Sequence, residues 1–474
     1  MKHRNNLLPA SMLLIILLFT AACHNTPQKK NIQKPVSVSV DVKSGEVMPH
    51  IPCSADTSES YALYLPSDYS PKHLFPVIFF FDAHARGALV VKKYKSIAEE
   101  FGFILAASNN SKNGQSQQQT SRVLYHFMQD VEQRFSVDPQ RIYTAGFSGG
   151  ARVAAAIGLF NKSVAGTIGL EAGFPPVRQI PDTHLTWVGV VGNTDFNYLE
   201  MKDLSRRLDA MGMQNLLLVY PGKHELPPAR MFKKAYEFLL LDAMRKQIVP
   251  LNQSIIDTVK NRYDRLRIQA QKGDHCLQQL EADQALVKNL EGLTNVTLYQ
   301  NEIKKLSASH ACQLRKKEMT ALLQTETFDQ QKFDQSLSSE GSGWWRHQIQ
   351  ELYRKKSVAR DEQVKLMDQR LLNYLSLMSY LYAGSSLQNR QMEETEKFLM
   401  IYQMVDPDNP EVYLMKAEFE ALQNQNNKAL TSLQKAVDHG FKDTYRIENN
   451  NYFKNLKALP EFTKILGKIK KVKN

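Results

Sequence analysis

Two patterns of apolar and polar positions divide the chain near residue 250. Up to about residue 245, short apolar runs alternate with stretches whose apolar residues recur at helical spacing. Beyond Asn252 the short apolar runs disappear, and Gln, Lys, Glu and Leu dominate in an amphipathic pattern. The first pattern predicts strands that alternate with helices, and the second predicts an all-helical region.

The apolar runs of the first part predict an open, mostly parallel α/β sheet flanked by helices. Residues 75–81 are almost continuously apolar, which is typical of a strand covered by helices on both faces. Further strands are predicted over 36–42, 60–66, 103–107, 141–145, 164–170, 187–191 and 216–220. Helices are predicted over 88–101, 118–135, 149–160, 198–212 and 228–245, with a loop at 137–139.

The second part begins with long amphipathic helices over about 253–325, broken at Gly273 and turning at 292–295. Cys276 and Cys312 lie nearly equidistant from that turn. If the flanking helices fold back on each other, the two sulfurs face each other, so we predict a disulfide. A zinc site that uses the neighbouring histidines fits the spacing less well. Cys53 has no partner in this scheme.

A repeat of 34 residues follows from about residue 371. The recurring positions are Ala383, Thr395, Leu399 and Pro407, which reappear as Ala417, Ala429, Leu433 and Phe441. This period is that of tetratricopeptide repeats, which bind protein partners and are not catalytic. Since two repeats are few for an independent solenoid, we expect them to pack on the preceding helices.

The N-terminal residues predict a targeting signal rather than a part of the folded domain. A basic start is followed by a short apolar run over 13–19 and by small residues before Cys23, which indicates a signal peptide over 1–22. The pattern resembles a bacterial lipoprotein signal, which implies lipidation of Cys23 and a location outside the cytoplasm, facing the periplasm or on the cell surface. The alternative is an ordinary secretory signal with an incidental cysteine. Polar residues 23–35 are typical of a tether.

Length and charge add limits to this organisation. At 474 residues the chain predicts two to three units beyond the signal and tether: a sheet domain over 36–247, a helical hairpin or linker region over 248–360 and a tetratricopeptide-like domain over 361–474. The formal charge of +12 is spread along the chain without a nucleic-acid motif, which favours a lysine-rich surface over nucleic-acid binding. Attraction to an anionic membrane surface is the alternative. We expect no metal and no cofactor.

The residues that carry chemistry lie in the first part. Gly146-Phe-Ser148-Gly-Gly150 stands between a predicted strand and a predicted helix, the setting of a nucleophile elbow. A serine hydroxyl becomes a good nucleophile only when an imidazole takes its proton and a carboxylate orients that imidazole. Asp195 and His224 each follow an apolar strand and come after the serine in the order that such sites use. Glu171 also follows a strand and is a rival for the acid.

Residues 55–245 resemble the α/β-hydrolase family that includes polyhydroxybutyrate depolymerases, feruloyl and acetyl-xylan esterases and related lipoproteins. The resemblance is carried by residues 61–66, 137–143, 146–150, 192–195 and 221–224. It implies Ser148 as nucleophile, Asp195 as acid, His224 as base, and the backbone N–H groups of Ala83 and Gly149 as the oxyanion hole.

The function that this resemblance implies is a serine hydrolase, with an ester substrate and an acyl-enzyme on Ser148. A peptidase of the same fold is one alternative. The other is a lipid-anchored scaffold in which the helical tail binds a protein partner and the hydrolase domain is degenerate. The segment 82–87 favours this last reading, because Ala83 stands where the family usually has a glycine.

Overall fold

The computed structural model describes residues 42–181 and 184–471. The predicted signal peptide, Cys23, the tether and the strand over 36–42 (all but Val42) lie outside the described residues. The chain divides into two compact units, the first reaching to Ala321 and the second beginning at Leu322.

The first unit is built on an eight-stranded sheet with the order β1-β2-β4-β3-β5-β6-β7-β8. The strands are β1 (Val47–Pro52), β2 (Ser60–Tyr64), β3 (Phe75–Asp82), β4 (Ile104–Ser108), β5 (Val137–Phe147), β6 (Val164–Leu170), β7 (Thr186–Gly192) and β8 (Asn215–Tyr220). Strand β2 is antiparallel to β1 and β4, and the other neighbours are parallel. The predicted α/β class is therefore confirmed.

Five helices connect and flank these strands: α1 (Gly87–Phe101), α2 (Gln117–Arg134), α3 (Gly149–Phe160), α4 (Tyr198–Ala210) and α5 (Ala229–Arg245). Strand β3 shows how both faces of the sheet are covered. Phe80 packs against Tyr94 of α1 and Phe232 of α5, with ring centroids 6.0 and 6.3 Å away. Its neighbours Phe79 and Phe81 point to the other face, where they contact Phe127 of α2.

Two elements of the sheet differ from the prediction. Residues 137–139, predicted as a loop, begin β5, because Val137 pairs with Phe75 of β3. Strand β1 has no predicted counterpart. It is an edge strand that contains Pro49 and shifts register between Met48 and Ile51, where a proline is tolerated but the alternating pattern is lost.

Four helices follow the sheet: α6 (Gln253–Lys272), α7 (Cys276–Leu290), α8 (Thr297–Ala308) and α9 (His310–Ser339). Cys276 and Cys312 are joined by a disulfide between α7 and α9, with Cα atoms 5.7 Å apart. The first three of these helices share an apolar cluster with Leu241 and Met244 of α5. The boundary between units consequently falls at residue 321, whereas the sequence placed its boundaries at 247 and 360.

The second unit continues from the C-terminal part of α9 with helices only, among the residues described. They are α10 (Ser342–Val358), α11 (Glu362–Gln388), α12 (Met392–Val405), α13 (Pro410–Leu422), α14 (Asn426–Asp438), α15 (Thr444–Glu448), a 3-10 turn at Asn451–Phe453 and α16 (Pro460–Lys471). Six of the 34-residue repeat positions are buried in one apolar core, and Pro407 is exposed; the six are Ala383, Leu399, Ala417, Ala429, Leu433 and Phe441. Tetratricopeptide identity stays a prediction. In 42–181 and 184–471 no helix is both long and apolar enough to span a bilayer.

Candidate active site

Ser148 stands at the sharp turn between β5 and α3, with φ 55° and ψ −122°. A non-glycine residue holds such a backbone only where its surroundings fix it, and the N–H of Ser148 donates to the carbonyl of Leu170 at 2.9 Å. A Cβ on Gly146 would lie 2.1 Å from the carbonyl oxygen of Gly150, and one on Gly150 would lie 2.1 Å from that of Phe81. Both glycines are therefore required by close backbone approach.

His224 lies between Ser148 and Asp195, within hydrogen-bonding distance of each. The Nε2 of His224 is 2.9 Å from the Oγ of Ser148, and its Nδ1 is 2.6 Å from Oδ2 of Asp195. Asp195 is completely buried, and its Oδ1 accepts the N–H of Asn197 at 2.6 Å. Because the carboxylate can only accept, Nδ1 carries the proton and Nε2 is left to accept from the serine hydroxyl.

The imidazole of His224 is also held from its faces. Its ring stacks on Phe196, with centroids 4.2 Å apart, and contacts Phe147 at 5.2 Å. The loops that carry Asp195 and His224 are joined, since Thr194 donates to the carbonyl of Gly222 through both its N–H and its hydroxyl. The ring is consequently fixed in position as well as in tautomer.

Glu171, the rival acid, occupies a different place from the one the sequence suggested. It follows β6 and is completely buried, but the Nδ1 of His224 bonds Asp195. The Glu171 carboxyl accepts from the N–H of Gly192 at 2.9 Å and from the hydroxyl of Tyr220 at 2.7 Å, and it hydrogen bonds Asp195. Burial, with the neighbouring Asp195, raises the pKa of Glu171 well above its usual range. The sequence contains no signal for this contact.

Ala83 and Gly149 border the serine from the two neighbouring strands. Asp82 pairs with Phe147 in parallel register, so the residues that follow them leave the sheet side by side. Within the described residues, the N–H groups of Ala83 and Gly149 donate no hydrogen bond. The carbonyl of Ala83 accepts from the N–H of Asn113 at 2.9 Å, which ties Ala83 to the loop that follows β4. Two residues whose N–H groups donate no hydrogen bond therefore lie next to Ser148, Gly149 along the chain and Ala83 after the neighbouring strand.

A cavity of about 660 Å³ opens in front of Ser148 and His224. Its apolar lining consists of Leu89, Phe147 and Leu226, and its polar lining of His84, Arg86, Lys92, Lys93 and Glu225. A molecule with an apolar part can therefore reach the serine through this cavity. Its polar lining, called the rim below, is mainly basic.

Two groups of described residues have their carboxylate and imidazole atoms within 4.8 Å of one another, the spacing of a metal site. One is Glu171, Asp195 and His224, and the other is Asp56, Glu59 and His126. In each group these atoms are already used: Asp195 accepts from His224, while Glu59 accepts from Arg122 and is 2.8 Å from His126. These contacts account for the closeness of each group without a metal ion.

The strand order, the elbow and the succession of Ser148, Asp195 and His224 define an α/β-hydrolase fold. No family model matches the sequence, and no curated protein matches it. Solved structures are similar in fold. S-formylglutathione hydrolase (FrmB) from Staphylococcus aureus is 14% identical, covering 42% of this chain and 99% of that chain with a TM-score of 0.33.

Two further similar structures are esterases. The feruloyl esterase module from Clostridium thermocellum is 14% identical, covering 38% of this chain and 82% of that chain, with a TM-score of 0.31. Est1E from Butyrivibrio proteoclasticus is 15% identical, covering 42% of this chain and 98% of that chain, with a TM-score of 0.31. The chemistry of the site is therefore argued from the residues of this chain.

Proposed function

We propose that this protein is a serine hydrolase that cleaves carboxylic esters through an acyl-enzyme on Ser148. The observation that carries the proposal is the continuous contact from Ser148 Oγ through the imidazole of His224 to the buried Asp195, at 2.9 and 2.6 Å. The hydroxyl stands at the elbow and faces the cavity. This is the arrangement that nucleophilic catalysis by serine needs.

The reaction has two balanced halves. In the first, Oγ of Ser148 attacks the ester carbonyl while its proton moves to Nε2 of His224, and the C–O bond to the alcohol breaks as the alcohol takes that proton. In the second, water attacks the acyl-enzyme, gives its proton to Nε2, and the acid leaves as the proton returns to Oγ. Asp195 stays ionised throughout and stabilises the imidazolium.

The negative oxygen of each tetrahedral intermediate needs hydrogen-bond donors. The unused N–H groups of Ala83 and Gly149 supply them, and Gly149 adds the positive end of α3. Each such donor contributes about 2.7–4 kcal/mol to lowering the barrier. Ala83 can take this role as well as glycine, because the donor is the backbone amide and the methyl group is not involved.

The decisive test compares wild type with Ser148→Ala on 4-nitrophenyl acetate and butyrate. We expect hydrolysis to fall at least about 10³-fold, to the level left by the remaining groups. Ser163→Ala, a change at an exposed loop serine, is the matched control and should behave as wild type. Labelling by a fluorophosphonate should follow the same pattern. If wild type hydrolyses no ester or amide faster than Ser148→Ala does, the enzyme hypothesis is refuted and the scaffold hypothesis remains.

An esterase and a peptidase can be distinguished by the leaving group that each can expel. A 4-nitroanilide with the same acyl group as the best 4-nitrophenyl ester shares its carbonyl and differs in the leaving group. We expect the anilide to be hydrolysed no faster by wild type than by Ser148→Ala, because an esterase does not expel the poor amine leaving group, whereas a peptidase cleaves both substrates. An amide turned over at a comparable rate would assign a peptidase instead.

The N-terminal segment extends the proposal to a lipid-anchored protein of the bacterial cell envelope. Support comes from the signal pattern before Cys23 and from the disulfide between Cys276 and Cys312, a bond typical of oxidising compartments. Cys23→Ser should move the full-length protein from the membrane to the aqueous fraction on phase separation with detergent. An unchanged distribution would contradict lipidation at this residue.

The helical tail enters the proposal as a surface for a protein partner. Its 34-residue repeat is the support, since the recurring small residues Ala383, Ala417 and Ala429 are buried where helices pack closely. Cross-linking of the full-length protein in cells should trap a partner on peptides from 371–440. Cross-links confined to the first unit would contradict this role.

A further inference from the structure

Glu171 lies behind the Asp195–His224 pair, at the carboxyl ends of three strands. It follows β6, and its side chain has no solvent exposure. Its Oε2 accepts the N–H of Gly192 at the end of β7, and its Oε1 accepts the hydroxyl of Tyr220 at the end of β8. Because Asp195 and His224 stand on the loops that leave β7 and β8, one carboxyl joins both loops.

The backbone of Glu171 is held by the same loops. Its φ of 58° is unusual for a residue with a Cβ, and its N–H donates to the carbonyl of Val190 at 2.8 Å. Its carbonyl accepts from the side-chain amide of Asn197 at 2.7 Å, while the N–H of Asn197 donates to Asp195 at 2.6 Å. The surroundings thus fix both the position of Glu171 and the direction of its side chain.

A contact between two buried carboxyl groups requires a proton between them. Glu171 and Asp195 are hydrogen bonded, and no Arg or Lys of the described residues forms an ion pair with either. A carboxylate oxygen of each lies within 4.8 Å of the other, and two buried carboxylates so close cannot both be ionised without a large cost. Asp195 already faces the Nδ1–H of His224 and is the better place for the negative charge. The proton therefore belongs on Glu171.

We propose that Glu171 is a positioning residue whose protonated carboxyl donates a hydrogen bond to Asp195 and holds that carboxylate against His224. The inference rests on the proposed function of the serine site. Glu171 does not touch the substrate and transfers no proton. Its donation stabilises the buried charge of Asp195, and its two acceptor contacts keep the loops of Asp195 and His224 in register.

Two variants of nearly equal volume separate the hydrogen bond from packing. The amide of Glu171→Gln can donate to Asp195 while its oxygen accepts from Gly192 or Tyr220, and it is neutral, as the protonated acid is. Glu171→Met fills the same space without a donor. We expect Gln to keep kcat within about threefold and Met to lower it about 10- to 100-fold, with KM within about twofold in both.

A pH profile supplies a readout that a purely structural role would not move. Without its donor, the buried Asp195 holds its charge less easily, so the Asp195–His224 pair takes up a proton at higher pH. The acid limb of kcat/KM should shift upward by about one pH unit in Glu171→Met and stay in place in Glu171→Gln. A Gln variant that behaves like Met, or a Met variant that behaves like wild type, would overturn the proposal.

The same shift can be measured without turnover, which separates this inference from the proposed function. Imidazole NMR titration of His224, assigned by comparison with His224→Ala, reports the protonation of the pair directly. If wild type is inactive but Glu171→Met still moves the titration of His224 to higher pH and Glu171→Gln does not, the positioning role of Glu171 stands. Only the esterase proposal is then refuted. Tyr220→Phe removes a partner of Glu171 without touching Asp195 and should leave the titration unchanged. A shift as large as that in Glu171→Met would contradict the proposed hydrogen bond from Glu171 to Asp195.

Discussion

Arg86 binds the buried carboxylate of Asp82 through two parallel hydrogen bonds, Nε to Oδ1 at 2.9 Å and Nη2 to Oδ2 at 2.8 Å. Oδ1 of Asp82 also accepts the N–H of His84 at 2.8 Å, and the N–H of Ala85 donates to the Asp82 carbonyl at 3.1 Å. The segment 82–87 is therefore a fixed turn. Ala83, which follows Asp82 beside the elbow, is therefore held in place, and the proposed role of its N–H as an oxyanion donor needs such a fixed backbone.

Arg86→Ala should impair the proposed reaction without weakening substrate binding. It leaves the carboxylate of Asp82, which is 1% exposed, without its counter-ion, so the turn that carries Ala83 loosens. We expect kcat to fall about 10-fold and KM to stay within about twofold, measured on a 4-nitrophenyl ester. Adding Asp82→Asn should recover part of the loss, because the amide oxygen can still accept from His84. A raised KM with unchanged kcat would show that Arg86 binds substrate instead.

The parts of the fold that the sequence predicts are those decided by local pattern. Strand β3 is buried on both faces, so nearly every residue is apolar and its bounds are almost unambiguous. The helix after the elbow begins and ends at the predicted residues, because glycine and small residues mark its start and Asn161 follows its end. Strand β1 was missed because an edge strand with a proline keeps no alternating pattern.

The parts that the sequence does not predict depend on contacts between distant residues. Helices α6 to α8 belong with the first unit only because their apolar faces meet Leu241 and Met244, which no local pattern reveals. The place of Glu171 depends on Gly192, 21 residues on, and on Tyr220, 49 residues on. Spacing along the chain identified it as a candidate acid, but only the three-dimensional neighbours place it behind Asp195.

Gly146→Ala tests the close packing of the elbow. The added Cβ would lie 2.1 Å from the carbonyl oxygen of Gly150, a backbone atom that cannot move without shifting α3 and Ser148. We expect a loss of about 1–3 kcal/mol in unfolding free energy, together with loss of fluorophosphonate labelling. Gly343→Ala, on an exposed turn of α10 where a Cβ meets nothing within 4 Å, is the control and should not destabilise. Normal stability and labelling of Gly146→Ala would refute the steric argument.

Asp368 in the second unit should make stability depend on pH. It is 1% exposed, and neither carboxylate oxygen has a hydrogen-bond partner in the described residues. Burial raises its pKa from 3.8 to about 6, with Lys355 opposing that shift. Because the folded state binds this proton more tightly, stability is lost as pH rises from about 3.8 to 6, and the loss is constant above.

Asp368→Asn removes that ionisation, so it should stabilise the protein by about 1–2 kcal/mol at pH 7.5 and by little at pH 4. Thermal unfolding followed by circular dichroism at the two pH values measures the difference. Asp408→Asn, at an exposed site of the same unit, should change neither. An equal gain at both pH values would mean that the effect is one of packing and does not come from the charge.

The rim of the cavity predicts a preference among esters. Leu89, Lys92 and Lys93 are three and four residues apart on α1, so they share the face that lines the cavity. Among the described residues, neither Lys92 nor Lys93 forms an ion pair. Glu225 is the single acidic residue of the lining, and the cation of Arg86 is already paired with Asp82. The rim therefore carries positive charge available to a substrate.

An ester with a carboxylate on its acyl chain, such as mono-4-nitrophenyl glutarate, should have a higher kcat/KM than 4-nitrophenyl butyrate, and added salt should reduce the difference because it screens exposed charges. The double change Lys92→Glu with Lys93→Glu should lower kcat/KM about 10-fold for the glutarate and less than about twofold for the butyrate. Lys72→Glu with Lys95→Glu alters net charge equally at exposed positions outside the lining, and should leave both esters unchanged. Equal losses from the two double variants would mean that overall charge, and not the rim, attracts the substrate.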